Sequence, residues 1–166
     1  DGSGVVFDKI DAVDHYYQFS DLFLYEFANK KAKRLTRGLR AREPVVSRDG
    51  KLIYFVQITP GGTRLARVSI GGEDANVIYQ PEFAGARVSR PEVLSDNELI
   101  FAEKELNHSD VLKILDLTTG TVRVVLSDFR PVSSPRLTPD GLLFVSGKTG
   151  IDNVYLADAA LTTARA

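Results

Sequence analysis

A tight-turn sequence recurs along this chain at intervals of about 45 residues, and this spacing constrains the fold more than any other feature. Three copies read Asp-Gly and one reads Asp-Asn, and each is followed by an apolar run rich in β-forming residues. Because Asp, Asn and Gly tolerate the positive φ angles of a tight turn, each copy predicts a β-hairpin. The four turns are Asp1-Gly2, Asp49-Gly50, Asp96-Asn97 and Asp140-Gly141.

Each repeat also contains two further apolar segments that predict strands. Helical spacing of apolar residues is not sustained beyond two turns, so the chain is predicted to be all-β. A four-stranded repeat of about 45 residues is typical of one blade of a β-propeller. We therefore predict a β-propeller arc of about four four-stranded blades, which span residues 1–40, 41–86, 87–131 and 132–166.

Two short motifs carry a resemblance to a known family. Arg34-Leu35-Thr36 ends the first repeat, and Thr138-Pro139-Asp140-Gly141 is the fullest copy of the turn. With the strand Leu52-Ile53-Tyr54-Phe55, these motifs resemble the TolB-like β-propeller repeat over essentially the whole chain. The resemblance implies a propeller fold and a periplasmic or extracellular location, because the family includes periplasmic scaffolds and propellers associated with peptidases.

The register of the repeats suggests that the arc belongs to a larger ring. Residue 1 falls in the turn between the first and second strands of a blade, so the first blade is expected to lack its inner strand. We expect a fragment of a six- to eight-bladed propeller, with the remaining blades as partners. The alternative is that two copies complete one ring. An open arc would expose strand edges and apolar sheet faces, which natural proteins avoid.

Composition and missing motifs exclude several function classes. The net charge of −1 disfavours general nucleic-acid binding, which requires a cationic surplus. No apolar run approaches membrane-spanning length, so we expect no membrane insertion. No metal-binding, phosphate-binding or nucleophile motif is present, and the chain has no cysteine. We therefore expect no cofactor and no catalytic centre within this segment, although enzymatic activity of a longer protein stays open.

Arginines recur in the segments that would connect the outer strand of one blade to the inner strand of the next. These segments lie on the face where propellers usually contact ligands, and equivalent positions converge toward the channel axis. Clustered guanidinium groups could bind a carboxylate or an anion of the medium. Alternatively, each arginine bonds a loop carbonyl or an acid of the next blade. The candidates are Arg37, Arg40, Arg42, Arg87, Arg90 and Arg130.

Aromatic residues and histidines also occur in predicted connections on this face. Tyr16, Tyr17 and Phe19 fall in the first long connection, where they either contact a partner or cover the blade edge. His15 and His108 have no partners at metal-ligand or triad spacing, so we interpret them as functionally neutral.

Three functions remain open. The first is a non-catalytic binding or scaffold module for a protein or peptide partner. The second is an accessory propeller domain that controls substrate access to a larger peptidase or hydrolase. The third, a lyase or hydrolase centred in the channel, would require convergent histidine or carboxylate groups, for which the sequence offers few candidates.

Overall fold

The computed structural model describes residues 2–13, 17–104 and 110–166, and the regular structure of these residues is almost entirely β-strand. The strands form four antiparallel sheets in which chain neighbours are also spatial neighbours. A short 3₁₀-helix, Ser127–Phe129, precedes the fourth sheet. Blade 1 contains β1 (Gly4–Val13), β2 (Tyr17–Glu26) and β3 (Lys31–Arg34); blade 2 contains β4 (Ala41–Val46), β5 (Leu52–Thr59), β6 (Gly62–Ser69) and β7 (Asn76–Tyr79); blade 3 contains β8 (Arg87–Ser95), β9 (Glu98–Lys104), β10 (Asp110–Asp116) and β11 (Val122–Val125); blade 4 contains β12 (Val132–Thr138), β13 (Gly141–Ser146), β14 (Asn153–Ala157) and β15 (Ala164–Arg165).

The predicted all-β propeller arc is confirmed. Blades 2 to 4 have four strands each, and blade 1 has three strands in the described residues. Within each blade the chain runs from one edge strand to the opposite edge. The first strands of blades 2 to 4, β4, β8 and β12, lie side by side and form the inner wall of the arc. In blade 1, β1 follows the Asp1-Gly2 turn as β5 follows Asp49-Gly50, and it lies against β4.

Two of the predicted hairpin turns depend on glycine. Gly50 has φ +73° and Gly141 has φ +135°, as the turn sequence predicted. The turn at Gly50 is held by the Asp49 carboxylate, which accepts hydrogen bonds from Ser47 Oγ at 2.6 Å and from Lys51 N at 3.1 Å. These local contacts fix the hairpin that joins β4 to β5.

The core lies between the blades, because each sheet packs face to face against the next. Leu22 of blade 1 packs in one cluster with Phe55 of blade 2, and Phe101 of blade 3 packs with Leu65 of blade 2. The middle strand β5 is buried from Ile53 to Val56 without alternation, since both of its faces are covered. This burial explains why its sequence is an unbroken apolar run.

Each inner strand of blades 2 to 4 contains a bulge at a proline. The pairing register shifts across Pro44 in β4, Pro91 in β8 and Pro135 in β12. Proline lacks an N–H to donate, and an edge strand at a bulge tolerates that loss. The strands therefore begin before the prolines, so it was wrong to assign Arg42, Arg87 and Arg90 to loops: they lie in β4 and β8.

Candidate functional site

A cleft opens between blades 2 and 3 on the face of the arc that carries the turn between β5 and β6. We call this face the mouth face. The cleft has a volume of about 520 Å³, and its wall is partly apolar through Val56, Val88 and Ala102, which are buried. Inner strands from both blades contribute to it, so the site depends on how the two blades pack together.

Basic side chains outnumber acidic ones around this cleft. Arg42 from β4, Arg87 from β8 and Lys104 from β9 line it, together with Glu43 and Asp110. The three basic side chains are exposed, and none of them forms an ion pair with a carboxylate of the described residues. A carboxylate from a partner could therefore bind a guanidinium here without displacing an internal acid.

Arg40 lies outside this cleft and contacts blade 1 instead. Its guanidinium carbon lies 4.2 Å from the centroid of the Phe19 ring, which is a cation–π contact. Arg40 has φ +53°, and its carbonyl accepts a hydrogen bond from Ile58 N at 3.0 Å. The backbone of Arg40 is thus bound to β5 of blade 2, while its side chain contacts Phe19 of blade 1.

The positions predicted for Tyr17 and Phe19 were wrong, because β2 begins at Tyr17. Phe19 lies within β2, opposite Asp11 of β1, rather than in a long connection. The β1–β2 hairpin extends much further than its apolar sequence indicated, because polar residues such as Asp11 and Gln18 are paired within it. Contact of Phe19 with a partner stays a prediction.

The remaining candidates are separate from the cleft or outside the described residues. Arg37 is exposed in the connection after β3, Arg90 lies in the inner wall, and Arg130 Nε is buried with no hydrogen-bond partner among the described residues. Of the six arginines, the cleft thus brings together Arg42 and Arg87. His15, Tyr16, His108 and the side chain of Tyr17 lie outside the described residues.

Sequence reasoning missed the buried carboxylate of Asp21, which anchors the connection from blade 1 to blade 2. It accepts hydrogen bonds from Arg34 Nη2 at 2.7 Å, Thr36 Oγ1 at 2.8 Å, Gly38 N at 2.8 Å and Leu39 N at 3.1 Å. The signal that could have identified it is the Arg34-Leu35-Thr36 motif, whose two polar side chains both reach Asp21.

A second missed group joins blade 3 to blade 2 beside the cleft. Glu103 is buried, and its carboxylate accepts hydrogen bonds from Lys113 Nζ at 2.8 Å and from the Tyr79 hydroxyl at 2.7 Å. Tyr79 also packs on Phe101, with ring centroids 5.1 Å apart. Because Glu103 directly precedes Lys104 in β9, these contacts hold the end of the strand on which Lys104 lies at the mouth face.

The described residues do not assemble a cation site. Among them, no three His, Asp or Glu side chains come close enough together to hold a metal ion. The described part of the chain also contains no helix with the length and apolar character needed to cross a bilayer. What the cleft offers is recognition chemistry: unpaired guanidinium and ammonium groups beside an apolar wall.

The chain was compared with protein families, curated proteins and solved structures, and solved structures share its fold. No family model and no curated protein matches the chain. TolB from Acinetobacter baumannii matches with a TM-score of 0.79 at 14% identity, and the match covers 98% of this chain and 40% of that chain. The chain thus spans 40% of the length of this TolB structure.

Two enzymes share the architecture. A puromycin-hydrolyzing peptidase from Mycobacterium tuberculosis matches with a TM-score of 0.70 at 15% identity, over 88% of this chain and 24% of the peptidase. An oligogalacturonate lyase, solved in complex with manganese, matches with a TM-score of 0.62 at 17% identity, over 99% of this chain and 61% of the lyase. These likenesses confirm the TolB-like β-propeller architecture and establish the fold alone.

Proposed function

We propose that this chain is a non-catalytic propeller module that binds an acidic protein or peptide segment in the mouth-face cleft. The observation that carries the proposal is the pair Arg42 and Arg87, which line one cleft and have no ion-pair partner among the described residues. Guanidinium binds carboxylate through two parallel hydrogen bonds, so the cleft suits Asp or Glu side chains of an extended segment.

The apolar wall adds a second requirement for the partner. Val56, Val88 and Ala102 lie beside the basic groups, so a segment that alternates acidic and apolar residues would satisfy both parts of the cleft. The carboxylates of Glu43 and Asp110 also line the cleft and would repel a purely acidic ligand. The cleft should therefore prefer segments in which acidic residues are interspersed with uncharged ones.

The test measures binding of a fluorescein-labelled peptide, Glu-Leu-Glu-Val-Glu-Leu, to the full-length protein by fluorescence anisotropy. An Arg42→Ala, Arg87→Ala double variant is expected to weaken binding by roughly tenfold or more, since each lost charge-assisted contact costs on the order of 1 kcal/mol. An Arg37→Ala, Arg165→Ala variant removes two exposed guanidinium groups outside the cleft and should bind as the wild type does.

The salt dependence of binding distinguishes charge-assisted binding in the cleft from non-specific binding through apolar contacts. Affinity should fall as the NaCl concentration rises in the wild type, and the fall should be shallower in the cleft double variant. Equal affinities for the wild type and the cleft variant at low salt would refute the assignment.

An accessory role in a larger hydrolase is the second candidate. It is supported by the shared architecture with the mycobacterial peptidase, of which this chain matches 24%. The sequence on either side of this segment in the full-length gene tests it: a peptidase or hydrolase motif there favours a domain that controls substrate access. In that case peptidase activity on large substrates, and not on small ones, should respond to the cleft variant.

We also propose a periplasmic or extracellular location and further blades as neighbours. The outward faces of blades 1 and 4 are apolar, with Val5 and Phe27 exposed on blade 1 and Val154 exposed on blade 4. Further blades packing on these faces would remove that surface from water. The blade division at residues 1–40, 41–86, 87–131 and 132–166 is supported by the sheets, each of which falls within one range. Cell fractionation of the full-length protein tests the location.

A further inference from the structure

The inner wall carries one unusual residue in each of three blades. Glu43, Arg90 and Ser134 directly precede the bulge prolines and have φ angles of +53°, +51° and +56°. Such angles are uncommon outside glycine, and they recur here at equivalent positions. The three residues line a shared cavity of about 400 Å³ along the inner wall.

Two of these residues donate their backbone amide to an acid of the preceding blade. Glu43 donates its backbone N–H to Asp8 Oδ1 of β1 at 3.1 Å. Arg90 donates its backbone N–H to Glu43 Oε2 of β4 at 2.5 Å. In both cases the bulge turns an amide away from its own sheet. Glu43 lies on the first strand of a four-stranded blade, whereas Asp8 lies on β1, which follows its turn as β5 follows Asp49-Gly50. The link from Arg90 to Glu43 is therefore the one that compares with Ser134.

The pattern stops at the third residue because the acceptor is replaced by a donor. For Ser134 of β12, the position equivalent to Glu43 in the preceding blade is Arg90, whose guanidinium can only donate. No side chain of the described residues accepts from Ser134 N, and none accepts from the Arg90 guanidinium. Arg90 and Ser134 line the same cavity.

Two acids of the inner strands β4 and β8 have hydrogen-bond donors of their own. Glu43 accepts the Arg90 amide, and Glu92 Oε2 accepts from Arg136 Nη1 at 2.8 Å. Both contacts use the Oε2 atom, and neither acid accepts a hydrogen bond from Ser134 N.

We propose that this break in the inner wall is a carboxylate-binding site, formed by the Arg90 guanidinium and the Ser134 amide. The bound carboxylate would occupy the place that the Glu43 side chain occupies one blade earlier. A planar carboxylate matches this set, since one oxygen can accept from the amide and the other from the guanidinium. Glu43 lines both cavities, but Arg90 and Ser134 do not line the cleft, and Arg42 and Arg87 do not line this cavity. The proposed site can therefore be tested independently of the proposed function.

Two sources could supply the carboxylate, and separate titrations distinguish them. Full-length protein labelled with ¹⁵N-serine is titrated with sodium acetate and, in parallel, with the peptide Ac-Gly-Glu-Gly-NH₂, at constant ionic strength maintained with NaCl. The Ser134 amide signal is assigned by its loss in Ser134→Asn, a residue that tolerates positive φ. A saturable shift with both ligands indicates a free small carboxylate, and a shift with the peptide alone indicates an acidic side chain of a partner.

Substitution of Arg90 tests whether the site is the missing link of the pattern. Arg90→Glu supplies the acceptor that Glu43 supplies one blade earlier, so it should raise the thermal midpoint by roughly 2–4 °C and abolish the ligand-induced shift of Ser134. Arg90→Asn should abolish the shift without the thermal gain. Arg165→Glu makes the same charge change on the exposed strand β15 and should do neither.

Three results of these experiments would overturn the proposal. No saturable shift of the Ser134 amide with either ligand would overturn the proposal, as would an unchanged shift in Arg90→Asn. If Arg90→Glu raised the midpoint no more than Arg165→Glu does, Arg90 would not occupy the acceptor position and the proposal would also fail. Loss of peptide binding in the Arg42→Ala, Arg87→Ala variant bears only on the cleft.

Discussion

Arg34 Nη2 donates a hydrogen bond of 2.7 Å to Asp21 Oδ2, and this pair holds the end of blade 1 against the chain that leads into blade 2. Asp21 has no exposed side-chain surface, whereas Arg34 keeps 23% of its side-chain surface in contact with solvent. The same carboxylate accepts from two backbone amides of the connection, at Gly38 and Leu39. One buried acid therefore determines the course of the chain from an outer strand to the next inner strand.

Replacing this acid should destabilise the protein strongly. Asp21→Asn removes the charge that faces Arg34 and replaces one acceptor oxygen with a donor aimed at donors. We expect a loss of about 2–4 kcal/mol in the free energy of unfolding, measured by urea denaturation at neutral pH. Asp152→Asn, at an exposed position, is the matched control and should change it by less than about 0.5 kcal/mol. A loss in Asp21→Asn no larger than in the control would show that the contacts carry little stability.

The contribution of Asp21 should also depend on pH in a defined direction. Burial alone would raise its pKa, but hydrogen bonds from the Arg34 guanidinium, the Gly38 amide and Thr36 outweigh that effect, and the pKa lies below its ordinary value. A lowered folded pKa means that the stabilisation is fully present above the unfolded value of about 3.9 and disappears as pH falls through the folded value.

The measurement compares the wild type with Asp21→Asn by urea denaturation in steps from pH 7 downward. The difference in unfolding free energy should stay constant to about pH 5 and shrink below about pH 4. A difference that persists unchanged into the acid range would mean that lost packing, rather than the lost charge, accounts for the effect.

The two turn glycines should differ in their tolerance of a side chain. Both have positive φ, but a Cβ added at Gly50 would meet no atom within 4 Å, whereas one added at Gly141 would lie 2.8 Å from the carbonyl oxygen of Ala157. Gly50→Val should therefore cost about 1–2 kcal/mol from backbone strain alone, and Gly141→Val should cost at least about 1 kcal/mol more. Thermal or urea unfolding of both variants measures the difference.

A gentler substitution controls for strain at the first turn. Gly50→Asn keeps a residue type that tolerates positive φ and should be close to neutral. If Gly50→Val and Gly141→Val were equally destabilising, contact with Ala157 would not contribute.

The sequence was sufficient to predict turns and strands that are determined by residues adjacent to them in the chain. The turn at Gly50 and the strand from Ile53 to Val56 are determined by adjacent residues, so both were predicted correctly. The bulges at the prolines depend on pairing with the next strand, and for this reason Arg42 and Arg87 were assigned to loops although they belong to strands.

The candidate site was harder to predict because its contacts are distant in sequence. Asp21 and Leu39 are 18 positions apart, and the amide of Arg90 reaches Glu43 across 47 positions. Repeat symmetry suggested that arginines converge, but it could not show that Phe19 lies against Arg40 or that the cleft selects Arg42 and Arg87. Such pairings depend on how neighbouring blades are rotated relative to each other.

The ion pair between Glu103 and Lys113 should show the asymmetry typical of buried charges. Lys113→Met leaves the Glu103 carboxylate buried beside the Tyr79 hydroxyl without its ammonium partner, and we expect a loss of about 3–4 kcal/mol. Adding Glu103→Gln to that variant removes the uncompensated charge and keeps an acceptor for Tyr79. The double variant should therefore recover about half of the loss, as measured by urea denaturation. If the double variant were less stable than Lys113→Met alone, Glu103 would not be carrying an unpaired charge in the single variant.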